Sequence, residues 1–439
     1  MNTLKKALKI VTYTFLGGFM LIILFLLYQL APALWKHWVT YPGLEKERME
    51  LRATYQKPEN YIQMPSFKGA LHAHTYWSHD SRGTLPEILD GAKRAGLQFM
   101  FNADHKRHRL DSFPRGYHGV YDGILIESGT EHSSGLMVTP MDTLVIDWNK
   151  PESQIMKEIA DLGGLVTYVH SEDEHDWDDP SYHAMEIYNI HTDVIDEGGL
   201  LPAVLNSVVN GKQYRDWTFR EFYDEQTEIL SHWDELNSNR KIVGIAGVDA
   251  HNNQSFRARY HEDGKVEWVG PNADTLVIRE PNWIDRLLIG QPDKYGWAFK
   301  WEIDPYFNSY NFANTHVFCD SFSIENIKEH IKAGHAYISF ESLAEGKGFQ
   351  FFAQDNTYNI QAIMGDSIQS ANVHQLMAVS PYPVIFQLYK DGEMIEEKAA
   401  GYEFSYDLKS PGNYRIVARV ELDGDWIPWV YTNPIYIYE

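Results

Sequence analysis

Two short segments bring histidine and carboxylate together at spacings suited to holding a cation. In "LHAHTYWSHD", Leu71 to Asp80, His72 and His74 stand two residues apart, with His79 and Asp80 just behind them. In "GIAGVDAH", Asp249 and His251 repeat that spacing. Side chains at i and i+2 on a strand leave from the same face, so each pair can offer two ligand atoms to one ion. Three more candidates close strand-like runs: His105 ends "LQFMFNADH", Glu131 ends "ILIESGTE" and His170 ends "GLVTYVH". Any one of them alone would read as a satisfied core residue. Burying this many imidazoles and carboxylates without a cation would leave charge poorly compensated, so the set points to metal. Mixed histidine and carboxylate ligation suits Zn, Mn or Fe. The chemistry such ions bring is hydrolysis, through a bound water whose pKa falls toward ~7.

The elements that would position these side chains follow a regular rhythm. From about Phe67 to Ser339, apolar strand-like runs alternate with amphipathic helical stretches, the pattern of βα units and a parallel sheet. In "TLPEILDGAKRAG", Thr84 and Glu87 make a capping box, Ile88, Leu89, Ala92 and Ala95 form one face, and Gly96 terminates the helix. A parallel barrel builds its site at the C-terminal ends of its strands, where the five candidate runs deliver their ligands. From about Leu343 the helical period disappears, and short alternating strands with Asp-Gly turns at Asp391 and Asp423 predict a β-sandwich. Between the two, 281–312 is rich in aromatic residues, read as interdomain packing in preference to a membrane-dipping segment or a substrate lid.

Composition bounds the partners. The chain has 439 residues, enough for two cores, and a formal net charge of -23, which argues against nucleic acid and favours a small-molecule substrate or a cation. The lone Cys319 excludes a disulfide framework and a cysteine-rich zinc module. Ile10 to Leu30 carries no charged residue and has the length of a bilayer crossing, so a retained transmembrane anchor is expected; a signal peptide cleaved near Ala31 to Ala33 is the competing reading. Lys5, Lys6 and Lys9 before the span, with Trp35, Trp38 and Tyr41 after it, predict a single-pass membrane protein with an extracytoplasmic body. The organisation expected is an anchor at 1–34, a juxtamembrane linker at 35–66, a metal-binding α/β domain at 67–342 and a β-sandwich at 343–439.

The motifs "LHAHTYWSHDSRGTLPEIL", "FNADHKRH", "SGTEHSSG", "TYVHSE", "MEIYN" and "GVDAHN" resemble, in order and spacing, those of the PHP (polymerase and histidinol phosphatase) superfamily. The C-terminal "WVYTNPIYIY" is similar to the carbaryl-hydrolase-like branch of its bacterial metallohydrolases. The resemblance implies a distorted seven-stranded (β/α) TIM-like barrel holding two or three divalent ions, with phosphoester hydrolysis as the commonest activity. On the matching positions it implies that His72 and His74 bind one ion with Asp249, that Glu131 bridges, and that His105, His170 and His251 complete the cluster. It also implies Asp80 as the ligand after the first motif, with His79 as the alternative. The chain departs from the pattern at Gly135, where a ligand histidine would stand; His132 is the nearest substitute, or the site holds two ions instead of three.

Other residues carry weaker readings. Lys106, Arg107, Arg109 and Arg115 lie in the loop after His105, where they would hold an anionic substrate or form a solvated basic loop. His108, His118, His175, His183 and His191 are candidates for a general acid or an extra ligand. Ser78 and Ser81 lack a nucleophile-elbow pattern. The function expected is a metal-dependent phosphoesterase. The alternatives are ester, amide or carbamate hydrolysis on the same centre, and a surface binding protein that uses its β-sandwich.

Overall fold

The computed structural model describes residues 2–106, 115–139, 146–190 and 200–439; within these, the side chains at 2–12, 15, 22, 23, 26, 200 and 201 are not described. Seven strands close a barrel. In chain order its strands and one accessory strand are β1 (Ser66–Ala73), β2 (Phe99–His105), β3 (Gly119–Tyr121, the accessory strand), β4 (Ile124–His132), β5 (Leu136–Thr139), β6 (Leu165–Tyr168), β7 (Ala184–Asn189) and β8 (Val243–Ala250). β1 runs parallel to both β2 and β8, β2 is parallel to β4, and β6, β7 and β8 are parallel in succession. β5 joins β4 and β6 antiparallel to both.

That arrangement corrects the expectation of a (β/α)7 TIM-like barrel. Strand is the commoner state in the chain, and the βα alternation fails at defined places. "TEHSSGLMV" forms a hairpin, because Gly135 takes φ +72° and turns the chain straight back from β4 into β5. The connection from β6 to β7 contains no helix. After β8 the chain builds a separate antiparallel sheet, β9 (Ser255–Tyr260), β10 (Val266–Val269), β11 (Thr275–Arg279) and β12 (Phe299–Glu302), in the order β11-β10-β9-β12.

The N-terminal region brings a second correction. Helix α1 (Asn2–Trp35) runs through a π-helical turn at Lys36–Thr40 into α2 (Tyr41–Ala53). Part of the span expected to cross a membrane falls on side chains outside the described set. Among the described residues no helix is long and apolar enough to cross a membrane, so the single-pass anchor and the localisation built on it are withdrawn. The far end of this helical arm is docked by polar contacts: Arg48, buried, donates to Asp216 Oδ2 at 2.8 Å and to Ser342 O at 2.9 Å.

Among the described residues the other α-helices are α3 (Leu85–Arg94), α4 (Glu152–Asp161), α5 (Leu200–Asn210), α6 (Arg215–Arg220), α7 (Thr227–Asn239), α8 (Trp283–Leu288), α9 (Tyr306–Tyr310) and α10 (Ile324–Ala333). α3 starts as its sequence predicts, with the Thr84 N–H donating to Glu87 Oε2 at 3.1 Å and Pro86 in the first turn. Gly91 lets α3 approach α9 closely, since a Cβ there would lie 2.9 Å from the Tyr306 Cβ.

Strands β13 (Asn314–Phe318) and β14 (Ala336–Ser339) link the barrel to the C-terminal strands. β13 pairs with the start of β1, and β14 pairs with Asp425–Thr432. One apolar core therefore runs through both parts, including Tyr168, Tyr188 and Trp233 from the barrel side and Phe349, Phe386 and Trp429 from the C-terminal strands. The aromatic stretch divides: Trp297, Tyr306, Tyr310 and Phe312 are buried, whereas Trp283 stays exposed.

Candidate metal centre

Eight ligand-type side chains converge at the barrel mouth. His72 is fully buried, and its Nε2 lies 3.0 Å from Glu131 Oε2 and 3.3 Å from Asp249 Oδ1. His74 Nε2 is 3.4 Å and 3.2 Å from the same two oxygens. His105 Nε2 reaches Glu131 Oε2 at 3.5 Å, and His170 Nε2 reaches Glu131 Oε1 at 3.4 Å. His251 Nε2 is 2.9 Å from Asp249 Oδ1, and its Nδ1 is 3.3 Å from Asp80 Oδ2. The ring of His251 stacks on that of His74 at 3.8 Å between centroids. Three sets of side chains each bring one ligand atom within 4.8 Å of the others: His72, His74 and Asp249; His72, Glu131 and His170; and His74, His105 and His251.

The backbone that achieves this is not a plain strand. The pairing of β1 with both neighbours shifts between Leu71 and Ala73, so His72 sits at a bulge with φ +64°, and His74 lies beyond the strand end. The structure thus brings together the residues that strand alternation groups, but through a bulge and a strand end instead of a regular pleat. His170 and Asp249 also take left-handed backbone, at φ +52° and +37°. Such conformations cost of order 1–3 kcal/mol each in a non-glycine residue and persist where surrounding contacts hold them.

Those contacts name residues the sequence reading did not single out. Glu186, inside "MEIYN", accepts from His72 Nδ1 at 2.6 Å, from the His170 backbone N–H at 3.0 Å and from Asn189 Nδ2 at 2.8 Å. It thereby fixes which His72 nitrogen faces the cluster. Gly247 makes room for it, because a Cβ there would lie 1.8 Å from Glu186 Oε1. Asp104 is buried and accepts from the Thr75 N–H at 2.5 Å and Thr75 Oγ1 at 2.9 Å, pinning the segment after His74. Burial pushes its carboxyl upward despite those donors. Tyr306 OH donates to His74 O at 2.7 Å. The only sequence signal for Glu186 and Asp104 is a carboxylate inside an apolar run.

Of the two alternatives after the first motif, the structure brings in Asp80. Ser78 Oγ donates to Asp80 Oδ1 at 2.6 Å and accepts from the His105 N–H at 3.1 Å, so this serine is a bracket between two members of the cluster. His79 is exposed and lines the adjoining cavity. His132 does not join: its Nδ1 is 2.9 Å from Ser134 Oγ and its ring stacks on Trp148. Beside Gly135 stands His175, whose Nε2 is 3.0 Å from His170 O and whose ring stacks on Tyr168. His118 pairs with Glu127 at 3.2 Å, and His183 Nδ1 accepts from the Val166 N–H. Lys106 and Arg115 are exposed. Arg107, Arg109, His108 and His191 lie outside the described residues.

The electrostatics are those of a carboxylate-rich cavity. Burial alone would lower the imidazole of His72, but Glu186, Asp249 and Glu131 raise it well above its ordinary value. Burial likewise opposes the rise of His170 to about 11 and of His251 to about 10, but it is outweighed by Glu131 and Glu172 at the first and by Asp249 and Asp80 at the second. His105 goes the other way, down to about 4, through burial and the neighbouring His74. Burial would push Glu131 and Asp249 up, yet the surrounding imidazoles hold both well below the carboxylate range.

These residues fit a divalent cation. Ligands at ~2.0–2.2 Å from one ion stand about 3.0–3.5 Å from each other, which is the spread of most of the imidazole–carboxylate separations above. His74 Nε2 and His251 Nδ1 are buried with carboxylate oxygens at 3.2–3.4 Å but in no well-aligned hydrogen bond. The cluster borders a cavity of about 630 Å³ lined by His79, Asp80, His105, His170, Asp249 and His251 among others. No family model matches the chain, and no curated protein matches it at a significant level.

Proposed function

We propose that the chain is a metal-dependent hydrolase whose cluster holds two or three divalent ions, Zn, Mn or Fe. The observation that carries this reading is the convergence of four imidazole nitrogens on Glu131. Its Oε2 faces His72, His74 and His105, and its Oε1 faces His170, so its two oxygens serve different ligand groups and suit a bridge between ions. The PHP-like order of motifs supports the same reading and favours phosphoester hydrolysis.

A bound divalent ion supplies Lewis acidity and acidifies its water toward ~7. The protein's part is to hold the ligands. Glu186 orients His72, Ser78 sets Asp80 against His105, and Asp104 and Tyr306 fix the segment from His74 to Thr75. The cavity beside the cluster is large enough for a drug-sized substrate.

The test is hydrolysis by the full chain before and after chelation, across phosphomonoesters, phosphodiesters, carboxylic esters and amides. Activity that vanishes with chelator and returns with Zn, Mn or Fe supports the proposal. Activity indifferent to chelation on every substrate rejects it.

A further inference from the structure

Resting on the hydrolase reading, we infer that Ser81 and Asn253 are positioning residues for one ion of the cluster, the one that Asp80, His105 and His251 would hold, and that they set its affinity independently of the rest. The cluster is served from two sides. Glu186 meets His72 Nδ1 and the His170 N–H, in the group of His72, Glu131 and His170. The group of His74, His105 and His251 stands instead beside Asp80, whose Oδ2 is 3.3 Å from His251 Nδ1 and 3.7 Å from His105 Nε2.

Two hydrogen bonds join the segments that carry Asp80 and His251, and they run in opposite directions. Ser81 Oγ donates to His251 O at 2.8 Å, and Asn253 Nδ2 donates to Asp80 O at 3.0 Å. Each side chain thus holds the backbone of a ligand in the opposite segment, and both are buried.

Both donors are themselves fixed. Ser81 Oγ accepts from the Gly83 N–H at 3.1 Å, and the Tyr76 N–H closes the loop onto Gly83 O at 2.7 Å. On the other segment Asn252 turns the chain at φ +51°, and Arg257 donates to its carbonyl at 2.6 Å. Asp304 accepts from the Asn253 and Gln254 N–H groups at 3.0 and 2.9 Å. The separation of Asp80 from His251 is therefore set by the two cross-bonds, and an ion is sensitive to such spacing because its ligands must be held within about 0.5 Å of their places.

Zinc calorimetry on the metal-free full chain tests this. Ser81→Ala and Asn253→Ala should each weaken one zinc ion by roughly tenfold and leave the rest at native affinity. Added to Asp80→Ala, from which that ion is already missing, Ser81→Ala should change nothing; added to Glu186→Gln, it should subtract its full effect independently. Weakening spread evenly over every ion, native affinity in both variants, or a further loss on the Asp80→Ala background overturns the inference. Circular dichroism checks folding, and should Ser81→Ala fail to fold, Asn253→Ala carries the same comparisons. A folded native chain that takes up no zinc rejects the hydrolase reading, and hydrogen exchange of the metal-free chain then decides the cross-bonds. Faster exchange at 249–254 in Ser81→Ala supports them, and unchanged exchange overturns the inference.

Discussion

Strand β1 carries a buried histidine–carboxylate cluster at each end, and the two are built differently. At its start, Lys68 donates to Glu341 Oε2 at 3.1 Å, while His316 Nε2, Ser339 Oγ and the Gly346 N–H surround Glu341 Oε1 at 2.9, 2.6 and 2.8 Å. One carboxylate there is met by four donors. At the other end, His72, His74, His105 and His170 converge on Glu131 while Asp249 stands beside it, so that imidazoles crowd two carboxylates with no lysine among them. The same residue types thus make a closed structural knot in one place and a cation-shaped ligand set in the other. What separates them is the ratio of donors to acceptors and the presence of a lysine, not the number of histidines.

Mutations at the two ends should sort accordingly. The largest contrast is in metal content. His72→Ala and Asp249→Ala should each eliminate both bound metal and hydrolysis in a chain that still folds by circular dichroism, whereas His316→Ala should keep its metal. A metal-free His316→Ala chain would erase the distinction.

At the closed end the expected effect is on stability. Glu341→Ala leaves the partly buried Lys68 and the buried His316 without their shared acceptor, a loss of about 3–5 kcal/mol in chemical denaturation, with metal content unchanged. A loss below about 1 kcal/mol would mean that the knot contributes little.

An intermediate effect belongs to Glu186, which touches the cluster only through His72 and the His170 backbone. Glu186→Gln should weaken metal affinity by ~10- to 100-fold, and Gly247→Ala should do the same by displacing the carboxylate. Calorimetric titration with Zn would expose a full-strength Gly247→Ala variant and with it a misplaced Glu186.

The pH dependence sharpens the contrast further. Burial would raise the Glu341 carboxyl, but His316, Lys68 and Ser339 pull it from 4.5 down to about 2. Since the folded value lies below the unfolded one, its stabilisation is complete above 4.5 and is lost as the pH falls through about 2. Glu341→Gln should remove that part of the acid sensitivity, and denaturation curves that fall equally steeply for both proteins over this window would contradict it. The smallest effect is expected at His79→Ala, because the side chain is exposed and Asp80 is the neighbour that meets His105 and His251. Metal loss equal to that of Asp80→Ala would reverse the choice between them.

Much of this site was legible in the sequence, and the reason is local. His72, His74, Asp249 and His251 lie within a few residues of strand ends, so spacing alone groups them. The fold was less legible, because it depends on pairings that spacing does not encode. Gly135 marks a tight β4–β5 hairpin, yet it stands in a motif that invites reading as a lost ligand. Asp263 and Gly264 form the turn of an antiparallel sheet inside a region whose rhythm otherwise reads as βα. The bulge at His72 has no signature beyond the histidine itself. Glu186 escapes notice because a lone carboxylate in an apolar strand looks like an exposed edge residue until the barrel closes around it.

The most direct test of the central claim is a count of ions. The full chain and its Asp249→Ala and His316→Ala variants would be equilibrated with Zn, Mn and Fe, freed of excess, and measured by elemental mass spectrometry. The account predicts two or three ions per chain in the native protein and in His316→Ala, and none in Asp249→Ala. A folded native chain that retains no ion, or an Asp249→Ala chain that keeps the full complement, would contradict it.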